Sequence, residues 1–130
     1  MERYLGRYSE VIYCLMRLVV GLAFAQHGAQ KLFGALGGQK VPLDGLMGLA
    51  AVIEFFGGLL IAIGLAAGWA AFIASGQMAV AYFMVHAKGG FWPIVNRGEL
   101  AVAYCFVFLY IASRGSGRYS VEAAIRKPKR

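Results

Sequence analysis

Residues 43–67 read LDGLMGLAAVIEFFGGLLIAIGLAA, and this stretch decides the fold. Beyond Asp44 its one ionisable residue is Glu54, in mid-span. An apolar helix of about 20 residues crosses the ~30 Å hydrocarbon core of a bilayer. Gly48, Ala51, Gly57, Gly58, Gly64 and Gly68 let neighbouring backbones approach closely, which predicts a tightly packed bundle and not a wide pore.

The link from Ala66 to Trp69 is too short for anything but an antiparallel hairpin, so a third span follows over 69–86, ending at His86. Upstream, residues 10–31 form a first span behind Arg3 and Arg7. That charged flank, and Ala23-Phe24-Ala25, imitate a signal peptide, but Arg17 interrupts the apolar region and an uncleaved helix is expected. Between Lys88 and Glu99 the paired Gly89-Gly90 and Pro93 stop the helix, while Phe91, Trp92 and Ile94 keep the segment apolar; this predicts a loop dipping into the interface. A short fourth span follows over 99–113.

The sequence thus predicts an all-α, integral membrane four-helix bundle. Residues 1–9 form an N-terminal segment, 10–113 the transmembrane domain, with spans at about 10–31, 43–67, 69–86 and 99–113, and 114–130 a basic tail. Composition agrees: of 130 residues 60% are hydrophobic and 15% charged, where a soluble domain carries about 25% charged residues. Lys and Arg counting places Arg3, Arg7, Arg114, Arg118, Arg126, Lys127, Lys129 and Arg130 on the side of both termini, against Lys31, Lys40, Lys88 and Arg97 opposite, so both termini are expected in the cytoplasm. The net charge of +7 is therefore read as juxtamembrane cations facing anionic lipid and not as a nucleic-acid surface. Ser120 to Arg130, with Val121, Ala124 and Ile125 on one face, is expected to begin as an interfacial helix. Cys14 and Cys105 lie in separate apolar stretches without a CxxC partner and are read as small buried side chains.

A charge at the centre of a spanning helix costs about 2.5–3.5 kcal/mol on insertion scales. Arg17 and Glu54 are both so placed, and they are expected to pair or share a network, with Gln77 as an additional member; a purely structural bridge explains them equally well. Steps of three or four residues along the first helix join Arg17, Gly21, Phe24, His27 and Lys31 in one stripe. At the outer end of that stripe His27 and Lys31 meet the level of His86 and Glu99, below Trp92 on the Pro-containing loop. His27, His86, Glu99, Glu54 and Arg17 form the candidate proton or redox network, and His27, Lys31 and Trp92 the candidate site for a quinone-like ring. The alternative for each is interfacial chemistry: Lys31 snorkelling, Glu99 opening a helix, two histidines near water. His27, His86 and Glu99 come from three segments with no ligand spacing, so no metal is assigned. The chain shows no haem, flavin or iron–sulfur ligand set, so no intrinsic cofactor is expected beyond a quinone.

The order His27-Gly28-x-x-Lys31-Leu32-Phe33-Gly34, Glu54-x-x-Gly57-Gly58, Ile63-Gly64-Leu65, Met78-x-x-Ala81, His86-x-x-x-Gly90-Phe91, Asn96-x-Gly98-Glu99 and Gly115-x-Gly117-x-x-Ser120 resembles the DoxX family over Arg17 to Glu122. Ser116 stands where that pattern has Pro, and Glu122 where it has Asp. The resemblance implies a multi-pass four-helix protein of the bacterial inner membrane. Some members are linked to quinone-coupled sulfur oxidation, others to a membrane oxidoreductase complex that supports thiol redox balance and oxidative-stress resistance. The function it implies is a subunit of such a complex, working with soluble redox partner proteins. Two other readings stand beside it: a non-catalytic scaffold or chaperone whose basic tail recruits a soluble partner, and a small-molecule carrier. The Gly-rich faces would also serve a homo-oligomer.

Overall fold

A computed structural model describes residues 1–126, and its described residues are helical with no strand. Three helices are long and apolar enough to cross a membrane: α1 (Glu2–Phe33), α2 (Gly45–Ile63) and α3 (Ala67–Gly89). A four-residue helix, Pro93–Asn96, lies in the loop that follows, and then come α4 (Glu99–Arg114) and α5 (Val121–Arg126). Lys127, Lys129 and Arg130 of the basic tail lie outside the described residues.

The chain folds as two antiparallel hairpins, α1 with α2 and α3 with α4, joined where α2 meets α3. Small residues set the first contact. A Cβ on Gly21 would lie 2.6 Å from the Ala62 nitrogen, one on Gly58 2.6 Å from the Ala25 nitrogen, and one on Gly28 2.2 Å from the Phe55 nitrogen, so the two helices touch backbone to backbone. In the second hairpin Ala67, Ala71 and Ala74 present a smooth buried face to Phe108 and Ile111. Phe24 joins the hairpins, its ring 4.7 Å from Phe108 and 5.5 Å from Tyr104.

The rest of the apolar surface points outward. Leu15, Val19, Trp69, Phe72, Phe83 and Phe106 are each more than half exposed, and only 33% of each long helix's apolar window is covered by protein. Water does not tolerate an apolar belt of that extent, whereas lipid does. The protein is therefore a multi-pass helical membrane protein.

The expected second span ends earlier than its hydropathy. Gly64 adopts φ 71°, and the Leu65 amide donates to the Leu60 carbonyl, closing α2 in a left-handed glycine turn at Ile63. The link 64–66 then carries the chain into α3. A Cβ on Gly64 would meet Ser120 and the Arg17 guanidinium within 2.8 Å, so glycine is required there on two counts.

Both long hairpin helices contain a widened π turn, at Ile53–Gly57 in α2 and at Tyr82–His86 in α3. The loop after α3 is tied by Asn96, whose amide donates to the Gly90 carbonyl at 2.7 Å and accepts from the Gly98 amide at 2.8 Å; the Tyr82 hydroxyl donates to the Phe91 carbonyl.

Candidate functional site

Glu54 is carried on the first π turn and is 4% exposed. Its Oε1 accepts from Lys31 Nζ at 2.7 Å and from Gln77 Nε2 at 2.9 Å. One carboxylate thus receives an ammonium from α1 and an amide from α3. Glu54 Oε2 and Gln77 Oε1 are buried without any partner. An unpaired buried polar oxygen is costly, on the order of 1–3 kcal/mol, so two in one cluster require explanation.

These residues line a cavity of about 700 Å³. Its inner wall is Phe24, Met78, Ala101 and Tyr104, and its polar groups are His27, Lys31, Glu54, Gln77, His86 and Arg97. Its rim includes Leu46, Met47, Ile73, Val80, Val85 and Leu100, each about half exposed or more on the lipid-facing surface. The cavity is therefore a lateral recess in an apolar wall, with charge at its depth. The second π turn ends at His86, so both widened turns deliver a polar residue to it. Such turns recur at functional sites because the extra residue re-aims a side chain at the expense of regular hydrogen bonding. The His86 ring stacks beside Tyr82, and its Nδ1 lies 3.3 Å from the Asn96 carbonyl oxygen. A carbonyl can only accept, so Nδ1 donates there.

The structure separates the two charges expected to pair. Arg17 Nη1 donates to the carbonyls of Ile61 at 2.5 Å and Ala62 at 2.7 Å, and Nη2 to the carbonyl of Tyr119 at 2.9 Å. It caps the C-terminal end of α2, where the helix dipole is negative, and ties the segment after α4 to that end. About 21 Å of helix lies between Arg17 and Lys31 at 1.5 Å per residue. Gln77 follows Glu54 and not Arg17.

Of the other sequence candidates, His27, Lys31 and His86 are brought to the cavity, and Glu99 and Trp92 are outside its lining. Glu99 sits in the first turn of α4, and Trp92 is 68% exposed on the loop. Among the described residues no group of three His, Cys, Asp or Glu side chains is placed to hold a metal ion. Sequence reasoning did not single out Tyr104 or Arg97. Tyr104 lies five residues beyond Glu99 on an otherwise apolar span, a signal that was present but weak.

A family model described as DoxX matches residues 12–87. The chain belongs to the DoxX family. An uncharacterized protein of Haemophilus influenzae is 37% identical to it over 125 residues, 91% of this chain and 93% of that protein. No solved structure matches. The DoxX match spans α1 from Ile12, all of α2 and α3 to Ala87, and so contains Arg17, His27, Lys31, Glu54, Gln77 and His86 together. His27, Lys31, Glu54, Gln77 and His86 of the cavity lie within the matched residues, whereas Arg97 and Tyr104 come from beyond that match.

Proposed function

We propose that this DoxX family protein is a four-span protein of the bacterial plasma membrane, with both termini in the cytoplasm, whose lateral cavity binds a lipid-borne redox carrier of quinone type. It acts as the membrane subunit of an oxidoreductase linked to quinone or to thiol and sulfur redox chemistry. The transmembrane domain is 10–113. The fourth crossing is α4, which runs antiparallel to α3 from the Asn96 loop back to the end where Arg114 meets Glu10 at 2.5 Å. At 16 residues it is about 24 Å long, and the apolar loop before it makes up the remaining depth.

The observation that carries the reading is the Lys31–Glu54–Gln77 cluster at the depth of a recess whose mouth is apolar. A carboxylate inside a membrane domain is expensive and is retained where it handles protons or ligand. The recess has the size of a small-molecule site, its inner wall suits a flat ring, and the donors of Lys31, Tyr104 and Arg97 in its lining suit ring carbonyls, with the isoprenoid-like chain leaving through the rim. When bound, a quinone supplies two-electron, two-proton redox chemistry that the side chains lack. The chain's own residues hold the ring against Tyr104 and Phe24, exclude water from it, and hold protons at Lys31, His27 and His86. Electrons are exchanged with soluble redox partners.

Mass spectrometry of organic extracts from the protein purified in mild detergent tests this. Wild type is expected to carry a quinone that Ala50→Phe, which places a ring in the recess one helical turn from Glu54, loses, as does the His27→Ala/His86→Ala double variant. A wild-type sample that folds and binds no added quinone refutes the reading and favours the scaffold.

A further inference from the structure

The cavity lies at one end of the bundle. Lys31 and His27 come from the last two turns of α1, Leu46 and Met47 from the first turn of α2, His86 from the last turn of α3 and Arg97 from the loop before α4. At 1.5 Å per residue Lys31 stands about 3 Å and His27 about 9 Å from the end of α1 at Phe33. Both termini of the described chain lie at the other end. There α1 begins, Arg114 at the end of α4 meets Glu10, and the Glu122 amide donates to the Gly64 carbonyl.

Packed apolar side chains separate the two ends. Phe24, Ile61, Ala74, Phe108 and Ile111 are each no more than 1% exposed. The Ser75 hydroxyl among them is held on the Cys105 carbonyl at 2.8 Å. Beyond this layer stands Arg17, ten residues before His27 and about 15 Å away along α1, with both terminal nitrogens on carbonyls. A proton carried through such a layer is a charge in hydrocarbon-like surroundings, and the layer opposes it. Toward the loop end the opposite holds: His27, Lys88 and Arg97 are exposed, and the Lys31 side chain is 29% exposed.

We infer that protons enter and leave the cavity from the face opposite both termini and from that face alone, so that its acid–base chemistry is coupled to the extracytoplasmic phase. This rests on the proposed reading for the proton-holding role of His27, Lys31 and His86 and for the orientation of the bundle, and it adds the side on which the protons are exchanged. No proton taken up at the recess is then drawn from the cytoplasm.

The test places single cysteines in the full-length protein after Cys14→Ala and Cys105→Ala, and labels them with a charged, membrane-impermeant methanethiosulfonate, which needs a thiol in contact with water. His27→Cys and His86→Cys report on the cavity, Lys88→Cys on the loop face and Arg118→Cys on the face of the termini. In right-side-out membrane vesicles His27→Cys is expected to react at least tenfold faster than in inverted ones, as Lys88→Cys does, with Arg118→Cys showing the reverse. His86→Cys serves where His27→Cys does not assemble in the membrane. Cavity cysteines that react equally from both sides, that follow Arg118→Cys, or that stay unlabelled while Lys88→Cys reacts overturn the inference and leave the orientation standing. Cavity and Lys88→Cys labelling from inverted vesicles, with Arg118→Cys labelled from the other side, overturns the extracytoplasmic assignment together with the orientation. Labelling requires no bound quinone, so a failure of the quinone reading is seen separately, in the extracts.

Discussion

Lys31→Met should destabilise the protein more than Glu54→Gln does, although the two substitutions break the same 2.7 Å pair. The asymmetry follows from burial: the Glu54 side chain is 5% exposed and that of Lys31 29%. Without Lys31, a buried carboxylate keeps only the neutral Gln77 amide. Without the Glu54 charge, the ammonium of the partly exposed Lys31 side chain can swing away from the site. Removing one partner of a buried pair costs about 3–5 kcal/mol when the other is stranded, and the Gln77 amide still meets the carboxylate, so about 3 kcal/mol is expected for Lys31→Met. Glu54→Gln loses a charge-assisted hydrogen bond and keeps a side chain of the same shape, for about 1 kcal/mol. The gap of about 2 kcal/mol is a factor of roughly thirty in the unfolding constant. The double variant should cost less than Lys31→Met alone, since it no longer strands a charge. Reversible unfolding in mixed detergent micelles, followed by circular dichroism as the denaturing fraction rises, measures all three. If Lys31→Met costs no more than Glu54→Gln, the ion pair is not a buried one and the reasoning fails.

Arg17→Met removes three hydrogen bonds to carbonyls of Ile61, Ala62 and Tyr119 and is expected to cost about 3 kcal/mol in the same assay, while ligand binding at the Glu54 recess stays unchanged. Arg17→Lys should recover less than half of that loss, because an ammonium does not span the guanidinium's fork. Glu122, in α5, is held below its ordinary value of 4.5, first by the hydroxyl of Ser116, then by the charge of Arg126 and the Ala66 amide. A carboxyl depressed in the folded state contributes stability above 4.5 that is lost as pH falls through its folded value. Hydrogen exchange over residues 115–126 should therefore quicken as pH drops below 4.5, after correction for intrinsic rates, and Glu122→Gln should show that loosening already at neutral pH.

Much of the architecture was legible because the membrane simplifies the code. Residues 43–67 are apolar over the length of a crossing, and Ala66 to Trp69 leaves room only for a hairpin, so the order of the long helices could be read directly. The helix ends were less legible, since hydropathy continues through Leu65 and Ala66 while hydrogen bonding stops at Ile63; the stop is set by the left-handed turn at Gly64, and that turn is held by Arg17 and Ser120 from distant parts of the chain. The two π turns have no hydropathy signature. Each changes a backbone ladder without changing the apolar count.

The candidate site shows where counting depth from the nearest helix end goes wrong. A first span at 10–31 puts Arg17 about seven residues from its start, but α1 begins at Glu2, and the level of a residue in a hairpin is set by the turn it shares with its partner helix. Gly28 meets Phe55 and Gly21 meets Ala62, so α1 and α2 pivot near Val41 and Pro42. Reflection through that pivot places Arg17 opposite the 64–66 link and Lys31 opposite Glu54's turn, where they are found. The same operation about the 64–66 link carries Glu54 to Gln77. Glycines that touch backbone, of which the sequence reading names Gly58 as a packing residue but not Gly21 or Gly28, thus also set the register that assembles the charged cluster. The unpaired oxygens of that cluster are beyond any such reading, because whether a buried oxygen finds a donor depends on every neighbour in three dimensions.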